Sequence, residues 1–121
     1  MSQAKVVREE TKVGDTVYSA LLIEAKNGYV ALLSEGQDSI GTLAVSVPQT
    51  SGMVGPPLSS TLLGERNETL ARMLAECLAN SLKKIVLVSV FIKTTSEAEA
   101  GRMFLRLLEK TLKKMVREGE S

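Results

Sequence analysis

The sequence predicts an α+β domain: an antiparallel-rich sheet of about six strands, with a four-stranded meander followed by a β-α-β-α unit and two helices on one face. Three observations predict it. Between Val7 and Val47 short β-rich runs, alternating apolar with polar at Val7–Val13 and Thr42–Val47, are separated by Gly- and Asn-containing turns. From Glu65 to Lys84 the apolar spacing becomes helical. Then Ile85–Ile92, almost continuously apolar, leads through Thr94-Thr95 into a second helical stretch.

The elements follow in order. Val7, Glu9, Thr11 and Val13 alternate with charged neighbours, the pattern of an edge strand, and Gly14-Asp15 turns the chain. Thr16–Glu24 is β-rich. Lys26-Asn27-Gly28 follows, and Asn-Gly between apolar runs is a strong hairpin signal, so Tyr29–Ser34 is the return strand. After the turn Glu35-Gly36-Gln37-Asp38, Leu43, Val45 and Val47 alternate with Thr42, Ala44 and Ser46, as in a half-buried strand. Residues 48–60 form an exposed connection that holds all three prolines, Pro48, Pro56 and Pro57. Ser59–Leu63 supplies a short fifth strand, which Gly64 ends. Ile85–Ile92 has the composition of a strand buried on both faces. Ser96-Glu97-Ala98-Glu99 is a capping box, and the last helix runs to about Arg117, leaving 118–121 as a frayed tail.

A chain of 121 residues forms one domain, 1–121, and 44% hydrophobic with 24% charged residues is the composition of a globular one. The net charge of +1 is too balanced for non-specific nucleic-acid binding. The start, Met1-Ser2-Gln3-Ala4-Lys5, does not read as a signal peptide, and no apolar run approaches the ~20 residues that span a bilayer. One cysteine gives no internal disulfide and fits a reducing compartment. The expected location is cytoplasmic, with no membrane or nucleic-acid partner.

Composition also removes chemistry. The chain has no histidine, hence no Ser-His or Cys-His pair and no imidazole metal ligand. Gly64 is followed by Glu65 instead of the Lys of a phosphate loop, and a carboxylate in the first helical turn repels phosphate. Ser59, Ser60 and Thr61 lack a nucleophile elbow. Glu9 and Glu10 are neighbours on a strand and point to opposite faces, so they form no catalytic dyad. Cys77 falls inside an apolar helical arc and reads as a buried filler. Lys110, Lys113, Lys114 and Arg117 read as a solvated helix end. No catalytic residue, cofactor site or metal site is assigned; the chain reads as a non-enzymatic interaction module.

Both helices carry wide apolar arcs. In the last one Leu107, Ala100, Thr111, Phe104, Met115, Leu108, Leu112, Leu105 and Val116 are contiguous around the helix, and Thr111 alone is polar. Leu70, Leu74, Leu78, Ala71, Leu82, Ala75 and Ala79 cover a similar arc in the first. A helix on one sheet needs a stripe of only about 100°. A second subunit is expected to cover the remainder, with Met73, Ala75, Ala79, Met103, Leu105, Leu108, Leu112 and Val116 at a homodimer interface.

The order Leu62-Leu63-Gly64, then Leu74-Ala75-x-x-Leu78-Ala79, then Val86-Leu87-Val88-Ser89 resembles the second half of proteasome assembly chaperone 4. Gly41-Thr42-Leu43 with Pro48 closing the strand resembles its partner, chaperone 3. The likeness spans about residues 10–115. It implies a fold like that family's, paired so that the helices lie between two sheets. It also implies a non-catalytic chaperone that holds a proteasome α-type subunit during α-ring assembly and leaves when β subunits join. One chain with features of both chaperones implies a homodimer, of an archaeal-like kind, or pairing with a related chaperone. Family members use loops near 48–60 beside incoming subunits, which makes Ser51, Gly52, Met53, Val54, Gly55 and Pro56 a candidate partner-binding loop. The alternative is a roadblock-like dimeric scaffold regulating a small GTPase, although such scaffolds usually begin with a helix and this chain begins with strands.

Overall fold

The computed structural model describes residues 4–49 and 58–120. Eight elements occur in the order β1 (Lys5–Val13), β2 (Thr16–Glu24), β3 (Gly28–Glu35), β4 (Thr42–Val47), β5 (Leu58–Leu63), α1 (Glu68–Leu82), β6 (Ile85–Phe91) and α2 (Glu97–Glu120). The strands make one six-stranded sheet ordered β1-β2-β3-β6-β4-β5. All neighbours are antiparallel except β3 and β6, which run parallel. This is the α+β architecture expected, with one correction. The meander has three strands, not four, because β6 inserts between β3 and β4. The nearly unbroken apolar run of β6 is best buried at the sheet centre, with a neighbour on each side and its Val86, Val88 and Val90 under the helices.

That insertion forces the β3–β4 connection, residues 36–41, to cross the end of β6. The crossing is tight: a Cβ on Gly41 would run into the Val90 carbonyl. Its amide instead donates to Ser89 Oγ at 2.8 Å.

Both helices lie on one face of the sheet. α1 covers β4, β6 and β5, while α2 covers β1 and β2. Their core lies between, built on Tyr18, Leu22, Leu33, Leu74, Phe104 and Leu107. Tyr18 and Phe104 meet edge to face with centroids 6.0 Å apart. The helices touch each other near their N-termini. There Gly101 leaves room for Leu70, whose Cδ1 would be 3.1 Å from an added Cβ, and Asn67 Nδ2 donates to Glu97 Oε1 at 2.7 Å. At the start of α2 the Ser96 hydroxyl oxygen accepts from the Glu99 amide at 3.2 Å, as the capping box predicts. Buried Thr111 satisfies its hydroxyl by donating to the Leu108 carbonyl at 2.8 Å, which explains how a polar residue sits within the apolar arc.

Candidate interaction surfaces

The helical arcs are largely consumed by the chain's own fold. On α1, Leu70, Ala71, Leu74, Ala75, Leu78 and Ala79 are all buried. On α2, Ala100, Phe104, Leu107, Leu108 and Met115 are buried, with Met103 and Leu112 half-buried against the core. Of the eight residues expected at a dimer interface, Ala75, Ala79 and Leu108 therefore point into the core, and Met73, Leu105 and Val116 face solvent. The reason is the sheet's width. With α1 and α2 on separate halves, each arc finds enough sheet to cover it. Cys77 corrects the sequence reading: it is exposed, because it lies at the border of the α1 arc, away from the sheet. The candidate loop Ser51, Gly52, Met53, Val54, Gly55 and Pro56 lies outside the described residues.

The outer surface of the helices is charged. Lys110, Lys113, Lys114 and Arg117 are exposed on α2, together with Arg102 and Arg106. Lys114 reaches Glu9 on β1 at 3.5 Å, while Glu10 turns to the opposite face and pairs with Arg8 at 3.0 Å. The two neighbouring carboxylates are thus split by strand alternation, as expected. A cleft of about 160 Å³ is lined by Leu82 of α1, Leu112, Met115 and Val116 of α2, and Tyr29 of β3. Burial, aided by the bond it donates to Glu24 Oε2 at 2.8 Å, pushes the Tyr29 hydroxyl up to about 12. Among the described residues no cluster of His, Cys, Asp or Glu is placed to hold a metal, and no helix is long and apolar enough to cross a membrane.

The surface that helix-centred reasoning missed is the sheet's other face. Side chains alternate along a strand, so Tyr18, Ala20 and Leu22 point to the helices while Leu21 and Ile23 point away. The register aligns the outward set into a row across five strands, Val6, Ile23, Val30, Leu87 and Val45. Leu21 and Leu32 pair beside it. One end of this face is polar, and the 36–41 connection covers it. Ser19 donates to Asp38 at 2.9 Å, the Ser39 amide donates to Ser34 at 3.0 Å, and Ser89 accepts from Gly41. Beyond it the face is aliphatic across the middle of β2, β3, β6 and β4 and is bounded by Arg8 and Glu10 on β1 and by Ser60 on β5; among the described residues no helix lies on it. The signal was legible: β2, β3 and β6 are apolar at both parities, whereas a sheet wetted on one side reads polar at every second residue.

No protein-family model and no curated protein sequence matches the chain. Among solved structures, it is similar to a chain of the crystal structure described as a novel chaperone complex for yeast 20S proteasome assembly. The TM-score is 0.66, at 12% identity, over 95% of this chain and 97% of that one. The shared property is the fold, over nearly the full length of both chains.

Proposed function

We propose that the chain is a non-catalytic chaperone of proteasome assembly, which acts in the cytoplasm as a homodimer and holds an α-type subunit while the α-ring forms. The observation that carries this reading is the end-to-end fold likeness to a chain of a yeast 20S proteasome assembly chaperone complex. Surface chemistry supports it: the chain has no histidine, and among the described residues the apolar middle of one sheet face carries no helix. Such a protein acts by shape, covering an assembly surface until the correct neighbour replaces it. The 48–60 connection is the second contact of this proposal.

The experiment is to mix the purified chain with the α-type subunit of its own host and to size the products. A stable complex and faster appearance of rings are the expected result. Unchanged subunit mobility and unchanged ring yield would sink the reading. Deleting Gly52–Pro57 then tests the connection, with weaker subunit binding expected and an unaltered affinity reducing it to a linker.

A further inference from the structure

We infer that the cleft between the C-terminal halves of α1 and α2 docks an acidic segment of a partner protein, with one apolar side chain seated over Tyr29 and flanking carboxylates on Lys5, Lys84, Lys113 and Arg117. This goes beyond the chaperone reading, which assigns no contact to the helix side. The cleft follows from helix length. The two helices start side by side at Asn67 and Glu97, but α2 has 24 residues and α1 has 15. At about 1.5 Å per residue, α2 runs on for roughly 13 Å past the end of α1. There α2 has no neighbouring helix. With α1 over β4, β5 and β6, and α2 over β1 and β2, the start of β3 lies between them as a floor.

The lining is apolar where it is deep. Tyr29, Leu82, Leu112 and Met115 line a space of about 160 Å³, and a space of about 150 Å³ holds a group the size of benzene. The cleft continues over Leu112 and Val116 into a shallower depression of about 460 Å³ beside Lys113 and Arg117. Val116 is 60% exposed there, an apolar wall without a partner among the described residues.

The rim is cationic. Lys5 lines the cleft, Lys113 and Arg117 line its extension, and Lys84 Nζ stands 5.8 Å from the Tyr29 ring centroid. Among the described residues none of these four cations makes an ion pair, whereas Lys114 on the adjoining face of α2 is held by Glu9. The nearby acids do not neutralise them. Glu24 accepts the Tyr29 hydroxyl at 2.8 Å, and Glu109, one turn before Lys113, is exposed and unpaired among the described residues. A helix C-terminus attracts cations within its last turn, but Lys5 comes from β1 and Lys113 lies two turns before the end of α2. Unpaired cations around an apolar floor complement carboxylates flanking an apolar anchor. A second copy would bring the same cations against themselves. A nucleic acid would need exposed aromatic platforms, and Tyr29 is half-buried beneath Lys84.

Fluorescence anisotropy tests this with a labelled peptide in which a Leu-Phe pair is flanked on each side by Glu-Asp, far-UV circular dichroism serving as the fold control. Saturable binding to the full chain is expected at roughly 100 μM or below, weakening as salt is added. Lys113→Glu with Arg117→Glu, and separately Val116→Asp, are each expected to weaken it at least tenfold, while Lys12→Glu with Arg102→Glu leaves it unchanged. Two changed peptides need no altered protein: replacing Leu-Phe by Ala-Ala, or the acids by lysines, is also expected to cost tenfold or more. No saturable binding, indifference to the Ala-Ala change, or equal loss in the Lys12 and Arg102 variant overturns the inference. So does comparable affinity for an oligothymidylate or for phosphatidylserine vesicles, which would make the rim a general polyanion or lipid surface. Because the probe is a peptide, failure of the chain to bind α-type subunits would sink the chaperone reading and leave this cleft standing.

Discussion

The Glu35 carboxylate at the end of β3 holds Thr94 in the connection between β6 and α2, accepting from its backbone amide at 3.1 Å and from its hydroxyl at 2.9 Å. The amides of Lys93 and Thr95 donate to the same carboxylate, each at 3.0 Å. Tyr18 adds a bond from its hydroxyl to Thr95 Oγ1 at 3.1 Å. Three successive amides converging on one buried carboxylate fix where α2 starts, and therefore how α2 lies over β1 and β2.

This latch is pH-dependent. Burial alone would raise the Glu35 pKa, but the converging donors outweigh it and hold the group at about 2. A depressed carboxylate contributes stability that is fully present above its unfolded value, 4.5, and is lost as pH falls toward about 2. Urea midpoints should stay level through neutral pH and drop between about pH 4.5 and 2. Glu35→Gln places an amide against three N–H donors and is expected to cost about 2–3 kcal/mol at pH 7, with a flatter acid limb. An unchanged acid limb in that variant would mean other groups control the transition.

Gly41 tests the crossing over β6. An alanine there pushes its methyl into the Val90 backbone carbonyl, which cannot move without disturbing the sheet centre. Gly41→Ala is expected to cost about 1–3 kcal/mol in urea unfolding, as overpacking does. A neutral result would show that the 36–41 connection shifts freely.

Phe104 and Leu105 are neighbours on α2 with opposite fates, one fully buried against Tyr18 and the other 38% exposed. Phe104→Ala is expected to cost about 3–5 kcal/mol through the cavity it opens. Leu105→Ala is expected to stay within about 0.5 kcal/mol. Comparable losses would mean that Leu105 is covered in solution, and would return attention to the helices as an interface.

Cys77 reports on the same question directly. Being exposed on α1, it should react fully with a thiol reagent in the folded protein without denaturant. Protection at high protein concentration, relieved on dilution, would place a partner over α1.

The strands and helices of this chain were legible because each is written locally. Alternation in β1 and β4, Gly14-Asp15 and Lys26-Asn27-Gly28 at the turns, and the Ser96 cap all act within a few residues of themselves. What stayed hidden was long-range. Nothing near β4 announces that β6 will separate it from β3, because that choice depends on which strand gains most from a central place. The fate of the helical arcs was hidden for the same reason. Apolar width on a helix states how much must be covered, and only the spread of α1 and α2 over six strands shows that the sheet covers Ala75, Ala79 and Leu108. The sequence by itself determined the elements, their order and the absence of imidazole chemistry, since these depend on residue identity and short spacing. Tertiary structure decided the strand order and which apolar surface remains unspent, since burial belongs to pairs of elements distant in the chain.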